Sequence, residues 1–309
     1  MYNGIINVYK EKDYTSHDVV AILKGMLSTR KIGHTGTLDP QAEGVLPVCV
    51  GGATKVCDII TDTTKEYEAT LLLGRATDTD DIYGEIIGQR EVNVSEEDVR
   101  TAVMSFTGDI MQIPPMYAAI KVDGRKLYDI ARSGRVIERK PRPVTISRIT
   151  ILGIDLPSVR FLVECSRGTY IRSLCRDIGE KLGCLGCMSA LIRTRSGYFR
   201  LDSARKLSEL QRLCDDGRAG EAIVGADVLF PDLPVINADD EVSLRMVDNG
   251  NMFSIAGSRV MDADNKAVLA RKLNPREQVR VYVGGVFRGI YSYDASLDYV
   301  RPVKILYQK

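Results

Sequence analysis

The sequence predicts an α+β fold: a mixed, largely antiparallel sheet with flanking helices, followed by a small C-terminal β-barrel. Three observations predict it. The 309 residues, 44% of them apolar, suit a chain with one large core, or one large and one small. Strand-like and helix-like stretches do not alternate in the regular way that a parallel, doubly wound sheet requires. Near Pro234 the pattern changes to short strands separated by Gly and Asn/Asp turns, which reads as a small barrel or sandwich. The expected division is therefore 1–233 and 234–309.

The elements follow in order. "NGIINVYK" is a short apolar strand, and Ser16 then stands as the N-cap of a helix with Val19, Val20, Leu23, Met26 and Leu27 on one face. "GVLPVCVG", "YEATLLLG" and "GEIIGQRE" read as strands, with the polar turn "TDTDDIYGE" leading into the last. Ser95 followed by Glu96, Glu97 and Asp98 is a helix start, its acids favoured by the helix dipole. Strands are expected around Thr145–Ile154 and Val159–Cys165. A helix from about Tyr170 to Leu182 would turn Ile171, Leu174, Ile178 and Leu182 inward, and another helix begins near Ser203. In the tail, one helix precedes strands in "RVMDADNKAVLARKL", "QVRVYVGGVFRGIYSY" and "VRPVKILYQ".

Composition narrows the function classes. No run of eighteen apolar residues exists, so no membrane span is expected. The N-terminus lacks the features of a signal peptide, so the expected location is the cytoplasm. Seven scattered cysteines in a chain of this size point to reduced thiols, and the single Cys184-x-x-Cys187 pair has no partner ligands that would make it a zinc site. Net charge is only +1, yet Lys121–Arg148 holds nine basic residues against three acids. Such segregation is the footprint of a polyanion as much as of a solvated surface.

Two stretches can carry chemistry. In "GHTGTLDPQAEGVLP", Asp39 precedes a proline, which biases it to extended or turn backbone, and flanking glycines allow close approach. Asp-Pro is also ordinary turn chemistry. Only His17 and His34 are available as imidazole ligands, and no G-x-S-x-G is present. A catalytic metal and a serine triad are therefore poorly supported, and a lone carboxylate remains. In "CSRGTYIRSLCRDIGEKLG", Arg172 falls in the first turn of a helix, where the dipole disfavours a cation. That cost suggests an anionic partner, a carboxylate or a phosphate.

Together these stretches resemble a family, the TruB-type tRNA pseudouridine synthases. "GHTGTLDPQAEGVLPVCVG" is similar to the family's signature loop, "KEYEATLLLGRATDTDD" to its tyrosine motif, "CSRGTYIRSLCRDIGEKLG" to its arginine motif and "LIRTRSGYF" to its leucine motif. The tail resembles its PUA-type RNA-binding domain. The resemblance implies Asp39 as catalytic aspartate, paired with Arg172. It implies Tyr67 stacking on the target uracil, Tyr170 and Leu191 in the same pocket, and His34 on the RNA beside the flipped nucleotide. Lys10 matches the lysine of the family's first motif and counts as substrate-binding. The implied reaction is conversion of uridine to pseudouridine at position 55, in the T-loop of tRNA, by a monomer with no metal or organic cofactor. The basic segment, about 115–145, falls where the family inserts a loop that clamps the tRNA. Departures are Glu11, Lys12 and Asp13 in place of the usual Pro-x-Gly, Cys187 for a common histidine and Ile192 for a common arginine.

The chemistry fits such residues. Breaking the bond between ribose C1′ and uracil N1 and rejoining through C5 loses no atoms, so no cosubstrate is needed. Asp39 could attack the ribose, add to the uracil ring or take a ribose proton, once the base has left its stack. An aromatic floor such as Tyr67 offsets the lost stacking. The alternatives are a non-catalytic RNA-binding or tRNA-folding protein on the same scaffold and a nucleoside hydrolase-like enzyme, for which no acidic cluster is evident.

Overall fold

The structure is a computed structural model that describes residues 2–118, 121–122, 125–127, 137–238, 240–255, 260–261 and 273–306. Residues 119–120, 123–124 and 128–136 in and around the basic segment, and most of "RVMDADNKAVLARKL", lie outside the described residues.

One large sheet organises the first two-thirds of the chain. Its strands run in the order Ile223–Val224, Gly4–Lys10, Glu43–Val50, Gly186–Ser196, Lys65–Leu73, Ser158–Cys165, Arg142–Asp155 and Gly108–Gln112. Every neighbouring pair is antiparallel except Glu43–Val50 with Gly186–Ser196, which is parallel. The expected mixed, largely antiparallel sheet is therefore what the chain forms. The parallel seam is short, with Ile192 facing Glu43 and Arg193 facing Gly44. There the backbones approach so closely that a Cβ on Gly44, at φ +103°, would sit 2.3 Å from the Arg193 carbonyl oxygen. Only glycine fits that position.

Helices Ser16–Met26, Glu96–Met104, Ile171–Lys181 and Leu207–Asp215 bury Val19, Leu23, Val99, Val103, Leu174, Ile178 and Leu210 in one core with the sheet. Ser95 caps its helix as expected, in a reciprocal box with Asp98. The cap of the first helix is Thr15 and not Ser16. Thr15 accepts from the Asp18 N–H, which leaves the Ser16 hydroxyl free to turn inward. The fourth helix starts at Leu207, because a short 3-10 turn occupies Leu201–Ser203.

A second, six-stranded half-barrel sheet follows, in the order Phe253–Ser254, Tyr299–Ile305, Val286–Asp294, Gln278–Val283, Val235–Asn237, Val260–Met261. It has its own core, centred on Ile236, Val279, Val281 and Tyr291, and carries the helix Glu241–Asp248. Another apolar cluster joins the two sheets: Phe287 and Leu306 pack with Ile5, Cys49, Ala53, Val56 and Ile60. Lys304 clasps Asp58 at 2.8 Å beside it, and Lys55 donates to the Ile305 carbonyl. Among the described residues no helix is long and apolar enough to cross a membrane.

Candidate active site

Asp39 sits on the loop that feeds the Glu43–Val50 strand. Its backbone closes a turn across Pro40, with the Ala42 N–H bonded to the Asp39 carbonyl at 3.0 Å. Turn chemistry and a poised carboxylate are thus both present, because the turn uses only the backbone. The loop is held from several sides. The buried Ser16 Oγ accepts from the Leu38 N–H at 2.9 Å and donates to the Leu38 carbonyl at 3.3 Å. Lys10 Nζ donates to the Pro40 carbonyl, and Arg193 Nη2 to the Gly36 carbonyl.

The carboxylate meets Arg172. Arg172 Nε lies 2.9 Å from Asp39 Oδ2, with the arginine side chain 6% exposed and the aspartate 42%. The guanidinium cannot swing away, since Nη1 donates to the Thr79 carbonyl and Nη2 to the Tyr117 carbonyl. A second carboxylate, Asp81, stands 3.8 Å from Nη1. The cation that the dipole disfavours in a first helical turn thus has two anionic neighbours, as its position implied. Asp81 belongs to "TDTDD", which reads from sequence only as a polar turn.

Asp39 and Arg172 open onto a cavity of about 280 Å³, which Tyr67, Tyr170, Leu191, Arg193 and Lys65 also line. The Lys65–Leu73 strand turns Lys65 and Tyr67 to one face by its period of two, and the neighbouring strand presents Leu191 and Arg193 in the same way. Tyr170 is fixed as the helix N-cap by the buried Gln112, which accepts from its N–H at 2.8 Å and donates to its carbonyl at 3.0 Å. Burial pushes both the Tyr67 and Tyr170 phenols above the ordinary range, so both stay protonated near neutrality. Lys65 donates to the carbonyls of Ile60, Thr61 and Thr63. Burial first, and the Arg193 charge second, bring its ammonium down to about 8.

Two of the expected site residues stand back from the cavity. Lys10 is fully buried, with Nζ donating to the carbonyls of Glu11, Tyr14 and Pro40. The Glu11–Tyr14 turn that replaces Pro-x-Gly wraps around the ammonium and shuts it away from any substrate. Burial lowers its pKa to about 8 against the pull of Asp39, Glu43 and Asp13. His34 is half-buried, its ring edge-on to His17 at 5.2 Å, and burial followed by the His17 and Arg193 charges lowers its pKa. Cys187 is buried in the sheet and Ile192 points away from the Leu191 face. Cys184 is buried too, and both thiols are free.

Sequence reasoning missed Ser16, Lys65, Asp81, Gln112 and Arg193. A usable signal existed for two of them. In a strand, Lys65 shares the face of Tyr67, and Arg193 that of Leu191.

Comparison with known proteins decides the family. Residues 24–171 match the model of the TruB family pseudouridylate synthase N-terminal domain. Residues 172–226 match the tRNA pseudouridylate synthase B C-terminal domain. The chain belongs to the TruB family of pseudouridylate synthases. It is 48% identical to tRNA pseudouridine synthase B of Lachnoclostridium phytofermentans, over 98% of this chain and 99% of that one. With the protein of the same name from Alkaliphilus oremlandii it shares 44% identity over 99% of each. Among solved structures it resembles a chain of a Cbf5-Nop10-Gar1 complex, with a TM-score of 0.69 and 26% identity, covering 99% of this chain and 85% of that one. A chain of an H/ACA RNP bound to a substrate RNA containing 2′-deoxyuridine matches with a TM-score of 0.68 and 25% identity, covering 98% and 85%.

Proposed function

We propose that this member of the TruB family isomerises uridine to pseudouridine in tRNA, at position 55 of the T-loop, with Asp39 as the catalytic carboxylate. The observation that carries the reading is the Asp39–Arg172 pair at 2.9 Å, opening onto a cavity that Tyr67, Tyr170 and Leu191 also line. That constellation can do what the reaction demands. A base flipped from its stack would lie against Tyr67, with Leu191 and Tyr170 closing around it. The carboxylate, oriented by a guanidinium that is itself locked, would face the nucleotide without having to move. The reaction needs no added cofactor.

The same reading assigns the remaining parts. Residues 234–309 act as a PUA-like RNA-binding domain beside a synthase domain of 1–233, and the basic segment contacts tRNA phosphates. The enzyme works as a monomer in the cytoplasm. His34 contacts the RNA at the rim. Lys10 serves the site from beneath by holding Pro40, one residue from Asp39.

The test is mass mapping of pseudouridine on an unmodified tRNA incubated with the protein alone. Conversion at position 55, lost in Asp39→Asn while tRNA binding persists, is the expected result, because binding rests mainly on backbone contacts. Tight binding without conversion by the intact chain would instead make it a non-catalytic RNA-binding protein.

A further inference from the structure

Gln112 ends the edge strand Gly108–Gln112, yet it is only 1% exposed. A buried primary amide is costly unless its donor and acceptor are both used, so its place calls for a reason. Both ends of the side chain are spent on one residue. Oε1 accepts from the Tyr170 N–H at 2.8 Å, and Nε2 donates to the Tyr170 carbonyl at 3.0 Å. The amide thus imitates the backbone of a neighbouring strand. Tyr170 is where such a partner is needed. It is the N-cap of the helix Ile171–Lys181, in extended backbone at φ −101° and ψ 112°, and its own side chain makes no capping bond. The first turns of that helix are fastened to the same stretch, since Ser173 Oγ and Arg176 Nη2 donate to the Ile113 carbonyl at 2.9 Å and 3.1 Å. The Tyr170 side chain is left for the cavity, which it lines together with Asp39 and Tyr67.

We propose that Gln112 is a positioning residue for the isomerisation, which sets the backbone of Tyr170 so that its ring meets the flipped uracil in the cavity. The proposal rests on the reading of the cavity as the site of uridine isomerisation, and of Tyr170 as a residue that meets the base. Its physical core is the pairing of donor and acceptor. A backbone N–H only donates and a carbonyl oxygen only accepts, so holding both takes a side chain with one group of each kind at a fixed separation. Glutamine has both, a carboxylate lacks the donor, and an apolar chain lacks the two together. Bonds on both sides of one Cα fix the rotation of the backbone there as a single bond would not. The Cα–Cβ direction follows from that backbone, and the ring follows the Cβ. A ring posed before RNA arrives need not be ordered during the reaction, which is how a group that touches no substrate acts on rate.

The experiment is a double-mutant cycle read by single-turnover rate at saturating tRNA, with tRNA affinity measured separately. The variants are Gln112→Met, Tyr170→Leu and the two combined, with thermal melts confirming that each is folded. Gln112→Met is expected to slow the chemical step about tenfold or more while leaving affinity within about twofold. In the Tyr170→Leu background the same change should cost no more than about twofold, since residues that act as one unit are non-additive. Equal slowing in both backgrounds would overturn the proposal and leave Gln112 as a structural residue, and so would an unchanged rate in Gln112→Met. A full rate in Tyr170→Leu alone would overturn the Tyr170 reading and the proposal with it. No conversion by the intact chain would overturn the proposed reaction itself, which is a different failure. Should Gln112→Met not fold, Gln112→Asn takes its place in the same cycle and is judged by the same outcomes, because it keeps the amide on a chain one methylene too short to reach both groups.

Discussion

Replacing Ser16 by alanine should slow the chemical step while leaving tRNA binding nearly intact. The perturbation is small in volume, one oxygen atom at a residue 1% exposed. Its consequence lies in what is left behind. The Leu38 N–H and C=O lose partners at 2.9 Å and 3.3 Å, and both bonds are buried. An unsatisfied buried polar group costs about 1–3 kcal/mol. The longer bond to the carbonyl belongs at the low end of that range, so the total is about 2–4 kcal/mol. The loop can recover part of this only by shifting to find other partners, and Leu38 is bonded directly to Asp39. A carboxylate displaced by a fraction of an ångström from a geometry set by Arg172 loses rate about ten- to a hundredfold. Single-turnover conversion of radiolabelled tRNA measures the rate, filter binding the affinity, and thermal denaturation the stability. A folded Ser16→Ala protein with a lowered Tm but an unchanged single-turnover rate would refute the reasoning, because the loop would then hold Asp39 without its anchor.

Three further outcomes follow from the geometry. The single-turnover rate should fall as pH rises through about 8, where Lys10 and Lys65 lose a proton, because a neutral amine donates two hydrogen bonds and each lysine serves three carbonyls. Global stability should not fall with it: both native pKa values lie below the ordinary lysine value, so between the two the unfolded chain holds more protons and these groups favour the native state as pH rises. A rate that stays flat well above that pH would show that neither ammonium matters to the site. Gly52→Ala should loosen the C-terminal sheet, since a Cβ there would stand 1.4 Å from the Leu306 carbonyl oxygen, and limited proteolysis should then release the tail faster. Deletion of residues after 233 should weaken tRNA binding and also lower Tm, because Leu306 and Phe287 no longer cover Cys49, Ala53, Val56 and Ile60, yet a folded truncation should keep its single-turnover rate.

The strands that patterning reveals are those whose inward residues are apolar. Gly4–Lys10 and Glu43–Val50 bury nearly continuous, mainly apolar runs, and Ser158–Cys165 buries Val159, Phe161, Val163 and Cys165 in strict alternation, so their sequence announces them. Gly186–Ser196 is as central to the sheet, but its "LIRTRS" half mixes apolar, basic and hydroxyl residues with Arg193 facing in, against the rule that charges face water. The edge strand Gly108–Gln112 escapes for the opposite reason, since Met111 is exposed and Gln112 buried.

The candidate site divides along a related line. Arg172 was legible because its cost was local: a cation in a first helical turn calls for an anion, whatever the rest of the chain does. Arg193, Lys10 and Lys65 were not legible as a group, because what makes burial of each tolerable is a set of backbone carbonyls that converge only after folding. Lys10 draws its acceptors from Glu11, Tyr14 and Pro40, and Lys65 from Ile60, Thr61 and Thr63. Arg193 draws its from Gly36 and Val45. No periodicity encodes such a cage. These cations all brace the segments that carry Asp39 and Tyr67, so the frame of the site is electrostatic as well as apolar. The cavity thereby keeps a fixed positive environment around one carboxylate, the kind of preorganised field in which charge developing on a departing uracil is stabilised before it forms.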